Sequence, residues 1–177
     1  MKAYSVYVLA LLSLMMGAAC SGSGDEAVKV VQYKGPEAET KDLVTIYSDS
    51  AKTVLKMTSP LEQKMQNGDI LYPKGLYITF YEDGKPSSMV SSKYGKYDQS
   101  KDQYFVRNDV VVKNITKNEQ LNTEELYWDK KKRIIFTEKF VRITSAKEVA
   151  TGHGLTANED FSDYQIKNFS GSFTLQQ

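Results

Sequence analysis

The sequence predicts an all-β domain, a sandwich or jelly roll, and three observations carry that expectation. A unit of about thirty residues recurs down the second half, alternating apolar and polar runs fill the first, and twelve tyrosines and seven phenylalanines suit pleated, half-buried surfaces. The three copies align without gaps as Tyr97 through Val112, Trp128 through Ile143 and Ala157 through Ser172, at offsets of 31 and 29 residues. Each opens on a polar turn (residues 99–102, 130–133 and 159–163), followed by a short apolar strand: Tyr104-Phe105-Val106, Ile135-Phe136-Thr137 or Tyr164-Gln165-Ile166. A polar interruption comes next (Arg107-Asn108-Asp109, Glu138-Lys139, Lys167-Asn168), and in the first two copies a second strand, Val110–Val112 or Val141–Ile143. Ile70 through Ile78 reads as a fourth, diverged copy. Repetition at this period implies stacked supersecondary units, none able to bury its apolar face alone.

The elements follow in chain order. Lys2, an eleven-residue apolar run from Val6 to Met16 and the small residues Gly17-Ala18-Ala19 precede Cys20, the only cysteine. Eleven residues are too few to span a bilayer, which needs roughly 20, so residues 1–19 read as a secretory signal peptide. Cys20 stands where a bacterial lipoprotein signal places its acylated thiol, and no disulfide within the chain is possible. Residues 20–41 read as lipidated Cys and flexible tether, rich in small, charged and breaker residues. Within them Val28 to Tyr33 forms an amphipathic run. Residues 42–177 read as the β domain. Alternation marks Leu43–Tyr47, Val54–Thr58, Gly75–Tyr81 and Phe140–Thr144, and Asp83-Gly84 is a hairpin signal. Pro60 to Gln66 reads as a short helix. Along Phe140–Ile143, Phe140 and Arg142 are expected on one face, with Val141 and Ile143 on the other.

The chemistry this composition excludes is as informative. His153 is the only histidine, set between Gly152 and Gly154, without a second His or a nearby Cys to make a metal or nucleophilic site, and it reads as a turn residue. No phosphate loop is present. Lys130-Lys131-Lys132-Arg133 falls in a predicted turn and reads as a solvated charge run. Without residues 1–19 the chain has 22 basic and 22 acidic side chains, so no basic excess argues for nucleic acid. Neither an enzyme nor a cofactor is expected.

The segment Leu121-Asn122-Thr123-Glu124-Glu125-Leu126-Tyr127-Trp128-Asp129 is followed by Ile134–Thr137, Val141–Ile143, Gly152–Leu155 and Ile166–Gly171. Together with Tyr47–Ser50, Tyr72–Gly75 and Phe80–Gly84 upstream, this order resembles the LptC family of lipopolysaccharide-export proteins, in its lipoprotein form, from about Tyr33 to Phe173. The resemblance implies an open, twisted β-jelly roll of the OstA, LptA and LptC type, stacked edge to edge. It implies a domain that takes lipopolysaccharide from the LptB–LptF–LptG ABC transporter and passes it to an LptA-like protein. Lining candidates for the lipid A acyl chains are Leu55, Met57, Leu76, Ile78, Phe105, Val110, Val112, Phe136, Val141 and Ile143. Partner-edge candidates are Leu43, Ile46, Gly152, Gly154, Tyr164, Ile166, Phe169 and Phe173. The implied location is the periplasmic face of the inner membrane, held by lipid on Cys20 where well-known relatives use a transmembrane helix; the outer membrane stays open. Two other readings stand beside it: a scaffold lipoprotein with a filled core, and a glycan-binding surface lipoprotein.

Overall fold

The computed structural model describes residues 33–159 and 161–174. The expected signal peptide, Cys20 and residues 28–32 of the amphipathic run lie outside them. The described residues form eleven strands: β1 (Pro36–Asp49), β2 (Lys52–Met65), β3 (Ile70–Tyr72), β4 (Leu76–Glu82), β5 (Lys85–Ser92), β6 (Tyr94–Asp98), β7 (Gln103–Asn114), β8 (Glu119–Asp129), β9 (Ile134–Thr144), β10 (Glu148–Asn158) and β11 (Tyr164–Thr174). All pairings are antiparallel, in the order β11-β10-β9-β8-β7-β5-β4-β2-β3-β6, with β1 on β2 and β6 also on β7.

The fold is all-β, an open jelly roll, and its doubling comes from strands that change partners halfway. β2 pairs with β4 through Leu55–Thr58 and then with β3 through Gln63 and Lys64. β7 pairs with β6 through Gln103–Arg107 and with β5 through Val111–Asn114. One sheet is thereby creased into two layers. Layer 1 holds β3, β6, the first half of β7 and what pairs with it; layer 2 holds β4, β5 and the second half of β7. Pro60 sits at the β2 switch, where a missing N–H costs least. Ser59 Oγ at the same place donates to the Gly75 carbonyl at 2.8 Å. Gly75 itself lies at φ +83°, and a Cβ there would sit 2.2 Å from the Ser92 carbonyl oxygen, so only glycine fits.

Bulges make the crease. Register shifts interrupt β7–β8 at Arg107/Val110, β8–β9 at Thr123/Tyr127 and β9–β10 at His153/Leu155. An extra residue bends a strand and increases its local twist. Asn108 and Asp109 occupy the β7 bulge at φ +65° and +53°; the Asn108 carbonyl accepts from Lys93 N–H at 2.9 Å, and Lys93 Nζ pairs with Asp109. At the β8–β9 gap, Thr123 Oγ1 donates to the Phe140 carbonyl (2.9 Å) and Thr137 Oγ1 accepts from Lys139 N–H (3.1 Å). Backbone groups at the crease are thus satisfied by a neighbouring N–H at Asn108 and by threonine hydroxyls at Lys139 and Phe140.

Several expectations are corrected here. The two short strands of the first two copies are halves of one bent strand, β7 or β9, and the polar interruption between them is the bulge. Pro60–Gln66 is not helical; Leu61–Met65 pairs with β1 on one side and β3 on the other, and that ladder overrides good helix formers. β1 begins at Pro36, so residues 36–41, read as tether, are strand. The predicted hairpin at Asp83-Gly84 forms, with both residues at positive φ (+49° and +75°) as a two-residue loop requires.

Candidate functional site: an apolar trough between two layers

Successive strands place their inward residues in register, so the trough wall is built row by row. Met57, Ile78, Val90, Val112, Leu121 and Ile143 form one continuous row across layer 2, and all are buried. Val110 and Val141 flank it, 1% and 0% exposed. Layer 1 contributes Tyr72, Val106, Leu126, Ile135, Leu155 and Ala157, and the two sets form one core cluster. A flat spot lets the layers meet: a Cβ on Gly95 would lie 2.3 Å from Leu76 Cδ2.

Of the ten expected lining residues, Met57, Leu76, Ile78, Val110, Val112, Val141 and Ile143 are buried in this cluster and Leu55 packs against it. Phe105 and Phe136 do not line the trough. Phe136 lies between buried Ile135 and Thr137, so it points to the opposite face. There Tyr127 packs between Phe105 and Phe136, at centroid distances of 4.7 and 5.2 Å. Counting back by twos from Ile143 and Val141 reaches Thr137 and Ile135, and from Val112 and Val110 it reaches Val106. The parity signal was in the sequence; selection by hydrophobicity passed over it. Phe140 and Arg142 face outward as expected, and His153 lies mid-strand on β10 with its ring 5.3 Å from Phe140. Val90, Leu121, Leu126, Leu155 and Phe161 were missed.

One end of this core, where the two layers meet, is aromatic. Trp128 of layer 1 stacks on Tyr104 (5.3 Å) and meets Phe80 of layer 2 edge-on (6.1 Å). Burial raises the Tyr104 and Tyr72 hydroxyls above the ordinary tyrosine range. Small voids remain among the described residues of the interior. One of about 30 Å³ is lined by residues including Leu76, Phe80, Val106 and Trp128. Another, about 20 Å³, lies beside Leu121, Ile143, Leu155 and Phe161. Each has room for about one water, so the layers are closed on one another. On β5, Ser88 Oγ is buried without a hydrogen-bond partner. Chemically this interior offers van der Waals contact and exclusion of water. Among the described residues, no group of three His, Cys, Asp or Glu could hold a metal ion.

The edge candidates divide. Among the described residues β1 pairs only with β2 and β11 only with β10, so no described strand lies on the outer side of either. Leu43, Tyr164 and Ile166 lean on the core, whereas Ile46, Phe169 and Phe173 are exposed. Gly152 and Gly154 are not on an edge: both lie in β10, one strand in. A Cβ on Gly152 would meet Ile166 Cγ2 at 2.4 Å and the Asn168 carbonyl oxygen at 2.6 Å, and Gly154 sits at φ +77°. Their role is to seat β11. In the basic run, Lys130 pairs with Asp102, Lys132 with Asp129 and Arg133 with Glu159. Among the described residues no helix is long and apolar enough to cross a membrane.

No curated protein matches the chain. A family model described as lipopolysaccharide-assembly, LptC-related matches residues 6–169, nearly the whole length, and the chain belongs to that family.

Proposed function

We propose that this protein is a lipid-anchored conduit for lipopolysaccharide, receiving it from the LptB–LptF–LptG transporter and handing it to an LptA-like module. Family membership supports the transport role at the cell envelope. The observation that carries the route is the unbroken row of buried aliphatic side chains running from β2 to β9, with β1 and β11 beyond its ends, each paired on one side only among the described strands. Acyl chains need such a path, since exposing one costs about 0.8 kcal/mol per methylene. Free edges give a way to continue it, because a strand from the next module adds by main-chain hydrogen bonds. Lipid on Cys20 would hold the domain at the periplasmic face of the inner membrane.

The test is in-cell photo-crosslinking from Val141, replaced by a photoreactive residue, with Phe136 on the outer face as control. A lipopolysaccharide adduct at 141 that vanishes when the transporter's ATPase is disabled, and is absent at 136, is the expected outcome. Equal labelling at both positions, or none at 141, defeats the proposal. The scaffold reading has one observation behind it: the voids hold only about 30 and 20 Å³. It predicts protein crosslinks from Phe169 and no lipid at 141.

A further inference from the structure

Phe161 is out of character with its surroundings. It belongs to the polar turn joining β10 to β11, yet it is 5% exposed. Its backbone lies at φ +56°, a region that bulky side chains enter only under strain. Such strain persists where the surroundings over-determine it, and here they are the trough. Leu121, Ile143, Leu155 and Tyr164 surround the ring, with about 20 Å³ to spare. A hairpin tip, rather than a sheet face, fills this part of the interior.

Both layers pin that tip. From the β7–β8 turn, Asn114 Nδ2 donates to the Phe161 carbonyl at 3.2 Å and Lys117 Nζ to the Ser162 carbonyl at 2.6 Å. From layer 1, Trp128 Nε1 reaches Glu159 Oε2 at 3.4 Å and Arg133 Nε donates to Glu159 Oε1 at 2.7 Å. Two of the four, from Lys117 and Arg133, are solvent-exposed, and charged pairs at the surface are weak and reversible. The aliphatic wall behind Phe161 stays intact without it, because Leu121, Ile143 and Leu155 come from β8, β9 and β10.

We propose that Phe161 is a displaceable plug: in the empty protein it fills the place of an acyl chain, and it withdraws with the hairpin tip when a chain enters. The inference rests on the lipid-conduit reading and adds which element yields. The tip runs directly into β11, whose outer side no described strand covers, through Tyr164. A partner strand docked on β11 therefore bears on the plug, and docking and chain admission are coupled.

The experiment titrates the full-length protein with a fluorescent dodecanoyl fatty acid and with purified lipopolysaccharide. Trp128, the only tryptophan, reports on the tip through its contact with Glu159. Wild type must first populate the withdrawn form, which weakens its apparent affinity by the fraction populated. Phe161→Ala is expected to bind both probes about tenfold more tightly. The double variant Asn114→Ala, Lys117→Met, which keeps every aliphatic wall residue, is expected to bind more tightly as well and to leave Trp128 more open to acrylamide quenching. Binding by wild type that neither variant improves overturns the plug and leaves the conduit reading standing. No binding by any folded form overturns the conduit reading and the plug with it. If Phe161→Ala does not fold, the double variant decides by the same criterion.

Discussion

The two outermost strands among the described residues, β1 and β11, are built in opposite ways. β1 is exposed along its length apart from Pro36 and Leu43, with Glu37, Glu39, Lys41 and Asp42 in its first half and Val44, Ile46 and Tyr47 in its second. β11 rests Tyr164 and Ile166 on the core, is seated over Gly152, and then exposes Phe169 and Phe173 in an uncharged stretch from Asn168 to Thr174. Among the described residues β1 is held by ladder hydrogen bonds and the packing of Leu43 alone on the core, whereas both Tyr164 and Ile166 pack β11 down. Charges along an edge discourage indiscriminate strand addition, and only β1 carries them through half its length. The edges are therefore not self-complementary, and a contact joining one kind to the other repeats head to tail rather than closing into a pair.

The strongest way to break this asymmetry is to remove what β11 stands on. Leu155, 1% exposed beneath β11, is expected to cost about 2–5 kcal/mol when changed to Ala, read as a fall in the urea midpoint. A finer cut compares the edges directly. Gly152→Ala forces a methyl against Ile166 and the Asn168 carbonyl, costing roughly 1–3 kcal/mol. Hydrogen exchange should show protection lost along β10–β11 and kept along β1–β2. Leu43→Ala should do the reverse at about 1 kcal/mol. Loss of protection at both edges in either variant would mean that they are not independent.

The smallest effect is that of acid. Hydrogen bonds hold four carboxyls below the ordinary Asp value of 3.8: from Lys96 to Asp69, Ser100 to Asp98, Tyr97 to Asp102, and the Lys132 backbone to Asp129. A depressed folded value means stability that is fully present above 3.8 and lost as pH falls through the folded values. The thermal midpoint should therefore be insensitive to these groups at neutral pH and drop below about pH 4. Those aspartates sit in or beside the β2–β3, β6–β7 and β8–β9 turns, so exchange should quicken there before it does at β1 or β11.

Much of the architecture was legible because the sheet writes itself in periods. Turns at residues 99–102, 130–133 and 159–163, the Asp83-Gly84 hairpin and the inward pair Val141 and Ile143 follow from alternation and turn chemistry. What escaped was long-range. Nothing local says that the interruption after Arg107 is a bulge within one strand rather than a break between two, because the answer lies in the register with β8. Leu61–Met65 carries helix formers, and only its neighbours β1 and β3 make it a strand. Phe105 and Phe136 are the largest apolar side chains of their segments, yet they lie on the opposite face, on either side of Tyr127. Phe161 sits in a polar turn, and its burial depends on a wall assembled from three other strands.

The crease has a consequence for how such a domain can grow. Every strand from β7 to β10 carries its own share of the bend, so the angle between the layers is not set by any single corner. Inserting one more hairpin of 29–31 residues, bulges included, would continue both layers by two strand spacings, or about 10 Å. The passage would lengthen without redesign of what came before. Length, in this architecture, is a quantity that gene duplication can adjust in fixed steps.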